Sequence, residues 1–126
     1  MTKSKKIRAG IIGCGDISPA HLKTWQQLGI EPAALCDRDL ARAEVRRTEY
    51  ARPDTPVFSD HRELLAIEDL DLVTVATPVA AHVPLTLDAL VAGKHVVCEK
   101  PSALSVAENR AVIEAARRAD RHVVFC

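Results

Sequence analysis

Gly13 and Gly15 follow directly on an apolar run, in the stretch Gly-Cys-Gly-Asp-Ile-Ser-Pro-Ala-His-Leu. The first glycine permits a sharp turn, and the second lets the backbone approach a pyrophosphate with no side chain in the way. Cys14, Asp16 and Ile17 complete this turn, and a helix opening after it aims unpaired N–H groups and its positive dipole end at phosphate. Asp37 stands about 20 residues beyond the turn, at the end of the next apolar stretch, where its carboxylate can accept hydrogen bonds from ribose hydroxyls. Apolar run, glycine turn and acidic strand end, all in register, read as a dinucleotide-binding unit, with an incidental turn as the alternative. Ser18 occupies the place usually held by a third glycine or alanine, which sets helix and strand slightly farther apart. Asp37 would repel a 2′-phosphate and so favours NAD. Arg38 could turn toward such a phosphate or lie against adenine, which keeps NADP open.

Lys100 is the most suggestive polar residue elsewhere, placed after a short apolar stretch between Glu99 and Pro101. Its ammonium could hydrogen-bond a substrate hydroxyl and draw that oxygen toward the alkoxide, as hydride transfer from an alcohol carbon requires. A solvated lysine paired with a surface carboxylate explains the position equally well. Glu99 could reach the cofactor's ribose hydroxyls or tune Lys100. His82 either lines the pocket or caps and packs the helix it begins. His21 reads as helix architecture and His95 lies at the wrong strand end, while His61 and His122 carry no signal. The five histidines are dispersed without ligand spacing, so no metal site is expected. Cysteines 14, 36, 98 and 126 form no C-x-x-C pair. They split between two halves of a sheet, which makes buried small side chains the simplest account and disulfides unexpected. Neither G-x-S-x-G nor a Gly-Lys-Ser/Thr ending occurs, so a serine-hydrolase triad and a nucleotide-hydrolysing P-loop have no support.

The elements that must position these residues alternate along the chain. The nearly continuous apolar character of residues 7–12 suits a strand covered on both faces. Ser18 is expected to cap a helix with Pro19 at its first position, with Leu22, Trp25 and Leu28 facing the sheet and Gly29 ending it. Residues 33–36 make a second strand, and residues 40–50 a helix whose charges read as a solvated face. A brief third strand falls at Val57 and Phe58, and Asp60 with Glu63 gives a capping box for a short helix. Residues 72–76 form a fourth strand, followed by a helix ending at Gly93 with Leu87, Leu90 and Val91 as its apolar face. Pro84 is tolerable there only in the first turn or at a bend. Residues 95–98 form a fifth strand. Ser105 with Glu108 caps a helix to about Ala119, with Leu104, Ala107, Ala111 and Ala115 toward the sheet, and residues 122–125 form a sixth strand. The result is an α/β, doubly wound parallel sheet, order 3-2-1-4-5-6, in one domain over residues 1–126. Right-handed crossovers gather Gly13, Gly15, Asp37, Thr77, Pro78, Glu99 and Lys100 on one sheet edge.

Lys plus Arg and Asp plus Glu number 17 each, so no net field steers the chain toward nucleic acid or an anionic membrane. The longest mostly apolar stretch, residues 72–81, includes two threonines and a proline and is far too short for a membrane span. The basic start is followed by too short an apolar run for a signal peptide, so a cytoplasmic protein is expected.

Gly-Cys-Gly-Asp-Ile-Ser-Pro-Ala-His-Leu, Ala-Thr-Pro-Val-Ala-Ala-His-Val-Pro and above all Ala-Gly-Lys-His-Val-Val-Cys-Glu-Lys-Pro resemble the N-terminal, Rossmann-fold domain of the glucose-fructose oxidoreductase, inositol dehydrogenase and rhizopine-catabolism (Gfo/Idh/MocA) oxidoreductase family. The resemblance spans essentially the whole chain, and its last motif is the most specific. It implies a nicotinamide cofactor and a sugar, inositol or related polyol substrate. By the same resemblance Lys100 takes part in substrate binding and proton handling and is joined to Pro101 by a cis peptide that aims it. Glu99 lies near the cofactor, and Thr77, Pro78 and His82 belong to the nicotinamide-side loop. Family members continue into a larger substrate domain that supplies a catalytic histidine with an acidic partner and most of the oligomer interface, and no counterpart is present in these residues. A non-catalytic dinucleotide-binding module, serving as a redox sensor or partner-binding domain, is the rival expectation. A methyltransferase would share the glycine loop but leaves the Glu-Lys-Pro segment unexplained.

Overall fold

The computed structural model describes residues 5–126. Strands β1 (Ala9–Ile12), β2 (Pro32–Cys36), β3 (Val57–Phe58), β4 (Leu72–Val75), β5 (His95–Cys98) and β6 (Val123–Phe125) form one parallel sheet in the order 3-2-1-4-5-6. Every strand therefore ends on the same edge. β1 is central, with Ile12 opposite Cys36 on one side and Val75 on the other. Its four residues are all buried, as expected for a strand covered on both faces.

Alternation along the strands divides the core into two layers. Ile11 and Leu35 pack with Leu22 and Trp25 of α1 (Ser18–Gln27) and Ala43 of α2 (Leu40–Tyr50). Ile12, Ala34, Val73, Val75 and Val96 face the other way, toward α3 (His61–Leu65), α4 (His82–Val91) and α5 (Val106–Ala119).

Helix faces differ from the sequence expectation where its spacing drifts from 3.6 residues per turn. Leu22 and Trp25 are buried, but Leu28, two threefold steps on, has rotated into solvent and is 67% exposed. Val91 likewise points outward at 88% exposure, and the inner face of α4 is formed by Val83, Leu85, Ala89 and Leu90. On α5 a four-residue step carries Leu104, Ala107 and Ala111 to the exposed side. Val112, Ala115, Ala116 and Ala119 pack instead, at the i, i+3, i+4, i+7 positions of a helical stripe.

Helix caps follow local chemistry. Ser105 accepts from the Glu108 N–H at 3.2 Å, and the Glu108 carboxylate accepts from the Leu104 N–H at 3.2 Å. Asp60 caps α3 through the N–H of Arg62 instead of that of Glu63. Ser18 is not the cap of α1. The glycine turn closes one residue earlier, so Ile17 takes the cap position and Ser18 donates its hydroxyl back to the Gly15 carbonyl at 2.6 Å.

Candidate functional site

A cavity of about 900 Å³ opens along the carboxyl edge of the sheet, within the size range of small-molecule sites. Gly13, Gly15 and Asp16 line it from the turn after β1, Asp37 and Arg38 from the end of β2, and Thr77 and Pro78 from the end of β4. Residues far apart in sequence thus meet where the strand order reverses, between β1 and β4.

The two glycines serve different needs. Gly13 adopts φ +101°, and a Cβ there would run into the Ala76 carbonyl. Its N–H donates to Cys36 O at 2.8 Å, which closes the turn against β2. A Cβ on Gly15 would meet no protein atom within 4 Å. Because Gly15 lines the cavity, a side chain there would occupy the space a ligand needs.

The Asp37 carboxylate is fixed from two sides, accepting from Cys14 N–H at 2.9 Å and Asp39 N–H at 2.8 Å. Each oxygen retains a further lone pair for a hydroxyl donor. Cys14 thus contributes its backbone, while its thiol is buried and directed at Cys36 O. Burial, with Asp37 nearby, pushes both the Cys14 and Cys36 thiols up to about 12, and burial pushes Cys98 up to about 11. These thiols remain protonated at neutral pH and act as small packing groups.

Arg46 is a site residue that the sequence reading placed on a solvated face. Its guanidinium donates to Gly15 O at 3.2 Å, to Ser18 Oγ at 2.9 Å and to Glu49 at 2.7 Å. It braces the outside of the glycine turn and places a fixed positive charge behind it. Ala43, one helical turn earlier, is fully buried, and this shared face is the signal that would have found Arg46.

Cys14, Ile17, His82, Glu99 and Lys100 do not line the cavity. Ile17 is exposed at the start of α1. Lys100 is exposed too, and its peptide bond to Pro101 is cis. Both oxygens of Glu99 have a protein partner. One lies 2.7 Å from His21 Nε2 and the other accepts from Lys100 N–H at 3.1 Å. His21 is therefore more than helix architecture: with Cys126 Sγ, these side-chain ligand atoms of His21 and Glu99 lie within 4.8 Å of one another. His82 is only 1% exposed, and both its ring nitrogens face backbone carbonyls, so of its two expected roles the structure shows packing.

Residues 7–125 match the family model described as an oxidoreductase family with an NAD-binding Rossmann fold. D-apiose dehydrogenase of Paraburkholderia graminis is 37% identical over 119 residues, covering 94% of this chain and 31% of that protein. An alpha-N-acetylgalactosaminidase of Shewanella oneidensis is 34% identical, covering 98% of this chain and 28% of the relative. The WlbA dehydrogenase of Chromobacterium violaceum, solved with NADH and UDP-GlcNAcA, superposes with a TM-score of 0.90 at 27% identity, over 99% of this chain and 36% of that one. The chain thus spans about a third of the length of these proteins. Among the described residues, no helix is long and apolar enough to cross a membrane.

Proposed function

Because the chain belongs to the oxidoreductase family with an NAD-binding Rossmann fold, we propose that it holds the nicotinamide dinucleotide of a dehydrogenase acting on a sugar, inositol or related polyol. The observation that carries this function is the cavity in which Gly15 leaves open space beside a fixed Asp37 carboxylate. Residues of the chain fit such a cofactor. Backbone N–H groups of Gly15, Asp16 and Ile17 are suited to the pyrophosphate, with those of Gly13 and Cys14 spent on closing the turn. Asp37 is suited to the adenosine ribose, while Arg38 borders the same end and Thr77 and Pro78 wall the other side. When bound, the nicotinamide would supply the donor or acceptor of hydride. Lys100 would hold the substrate hydroxyl and take part in its proton transfer, and Glu99, anchored by His21, would fix the backbone on which Lys100 stands. A sugar-like substrate is supported by the names of the related dehydrogenases. The setting proposed is cytoplasmic, with one domain over residues 1–126, no metal ion, and self-association, if any, through the family's second domain.

Titration of the chain with NADH and NADPH under identical salt tests the cofactor assignment. Tighter binding of NADH is expected, since Asp37 disfavours a 2′-phosphate. Tighter binding of NADPH would reverse the preference, and failure to bind either would end the assignment. The chain alone should not turn over a polyol, because catalysis requires the substrate carbon about 3–3.5 Å from the nicotinamide in a closed site. Joined to the family's substrate domain it should form NADH from a member of a polyol panel. There Lys100→Met should cut turnover by roughly a hundredfold or more with cofactor affinity nearly unchanged. Wild-type rates in that variant would remove Lys100 from the chemistry. The galactosaminidase relative favours one further assay on the joined protein, cleavage of an N-acetylgalactosaminide in the presence of NAD.

A further inference from the structure

His82 Nδ1 lies 2.7 Å from Pro101 O, and His82 Nε2 lies 2.7 Å from Thr77 O. A carbonyl oxygen only accepts, so each contact needs a hydrogen on the ring nitrogen. A neutral imidazole carries one N–H. It would press its remaining lone pair against a carbonyl lone pair, and at 1% exposure the side chain has no room for water to intervene. Turning the ring over does not relieve this, because it would bring ring carbons to the same oxygens, well inside the roughly 3.3–3.6 Å of a C–H···O contact.

We propose that His82 is a positioning residue held as the doubly protonated imidazolium, bracing the Thr77 loop after β4 against the Lys100–Pro101 segment after β5. The cation stands at the first residue of α4, the helix end where the dipole disfavours positive charge. Two short charge-assisted hydrogen bonds act against that cost and against the cost of burial. What the brace fixes is a separation: Thr77 lines the cofactor cavity, and Pro101 directly follows Lys100. The wall of the cofactor site and the lysine assigned to the substrate are thereby tied through one side chain. That consequence rests on the cofactor function proposed above, whereas the protonation state of His82 does not.

Two-bond 15N–1H correlation of the histidine rings in the chain at neutral pH reads the state directly. Both His82 nitrogens are expected to carry hydrogen, and a bare nitrogen would overturn the proposal. His82→Gln retains one amide donor, and His82→Phe retains ring bulk with none. In each folded variant the amide resonances of Thr77, Val79, Ala80, Ala81, Lys100, Ser102 and Ala103 should shift while those of β1 and α2 stay in place. NADH affinity should fall roughly threefold or more. If His82→Phe does not fold, His82→Gln decides. A folded glutamine variant with unmoved resonances in both segments and NADH affinity within about twofold of wild type would also overturn the proposal. If the wild-type chain fails to bind NADH, the cofactor assignment fails, and the brace is then judged by ring protons and segment shifts alone.

Discussion

At the scale of single residues, the two glycines of the turn make opposite predictions. Gly13→Ala forces a Cβ toward the Ala76 carbonyl at a positive φ, so stability should drop by about 2 kcal/mol or more. Gly15→Val meets open space and should fold nearly as wild type, yet lose most affinity for NADH because its methyl groups enter the cavity. Thermal unfolding beside calorimetric binding separates the two. A Gly15→Val chain that binds normally would show that the open space is not the phosphate site. The glycines and Asp37 were legible in sequence because turn geometry and acidic strand ends leave fixed spacings. Arg46 was less so: its helical spacing from Ala43 marks the face it shares, but the glycine turn onto which its guanidinium folds is brought there only by the fold. His82 was half legible: its place at the helix start was clear, but its two carbonyl partners come from loops that only the sheet brings together.

At the scale of elements, sequence located all six strands and the order of the sheet, since buried parallel strands read as short apolar runs bounded by turns. It misjudged helix faces where short windows of leucine or alanine followed a three- or four-residue repeat. Leu28, Val91 and Ala107 are exposed for that reason, and the true stripes are those that hold the 3.6-residue period. Central strand β4 also carries an uncompensated group, the Thr74 hydroxyl, which is buried without a hydrogen-bond partner. Thr74→Val keeps the shape and removes the orphan oxygen. It should raise stability by about 1 kcal/mol, measured as a higher urea midpoint at unchanged slope. A loss of stability would mean that the hydroxyl has a partner after all.

At the scale of the whole molecule, the covering of the sheet controls which thiols meet solvent. Cys14, Cys36 and Cys98 are buried, and Cys126 is exposed. The buried thiols ionise only near pH 11 to 12, so between pH 7 and pH 9 they stay both shielded and protonated. Maleimide treatment of the native chain should add one label, at Cys126, and treatment in denaturant should label all four cysteines. Mass spectrometry counts the adducts, and rapid native labelling at Cys14 or Cys36 would show that the glycine turn opens. The strand order also has a consequence during synthesis. β1 is made first, yet one of its two flanking partners is β4, with Ala9 opposite Leu72 and Ile12 opposite Val75. As the chain leaves the ribosome, β1, β2 and β3 can assemble early, but one edge of β1 stays bare until β4 has emerged. A nascent chain arrested between β3 and β4 would present that unpaired edge, with the apolar side chains of β1 beside it, to its neighbours, and it is at this length that chaperone binding should peak.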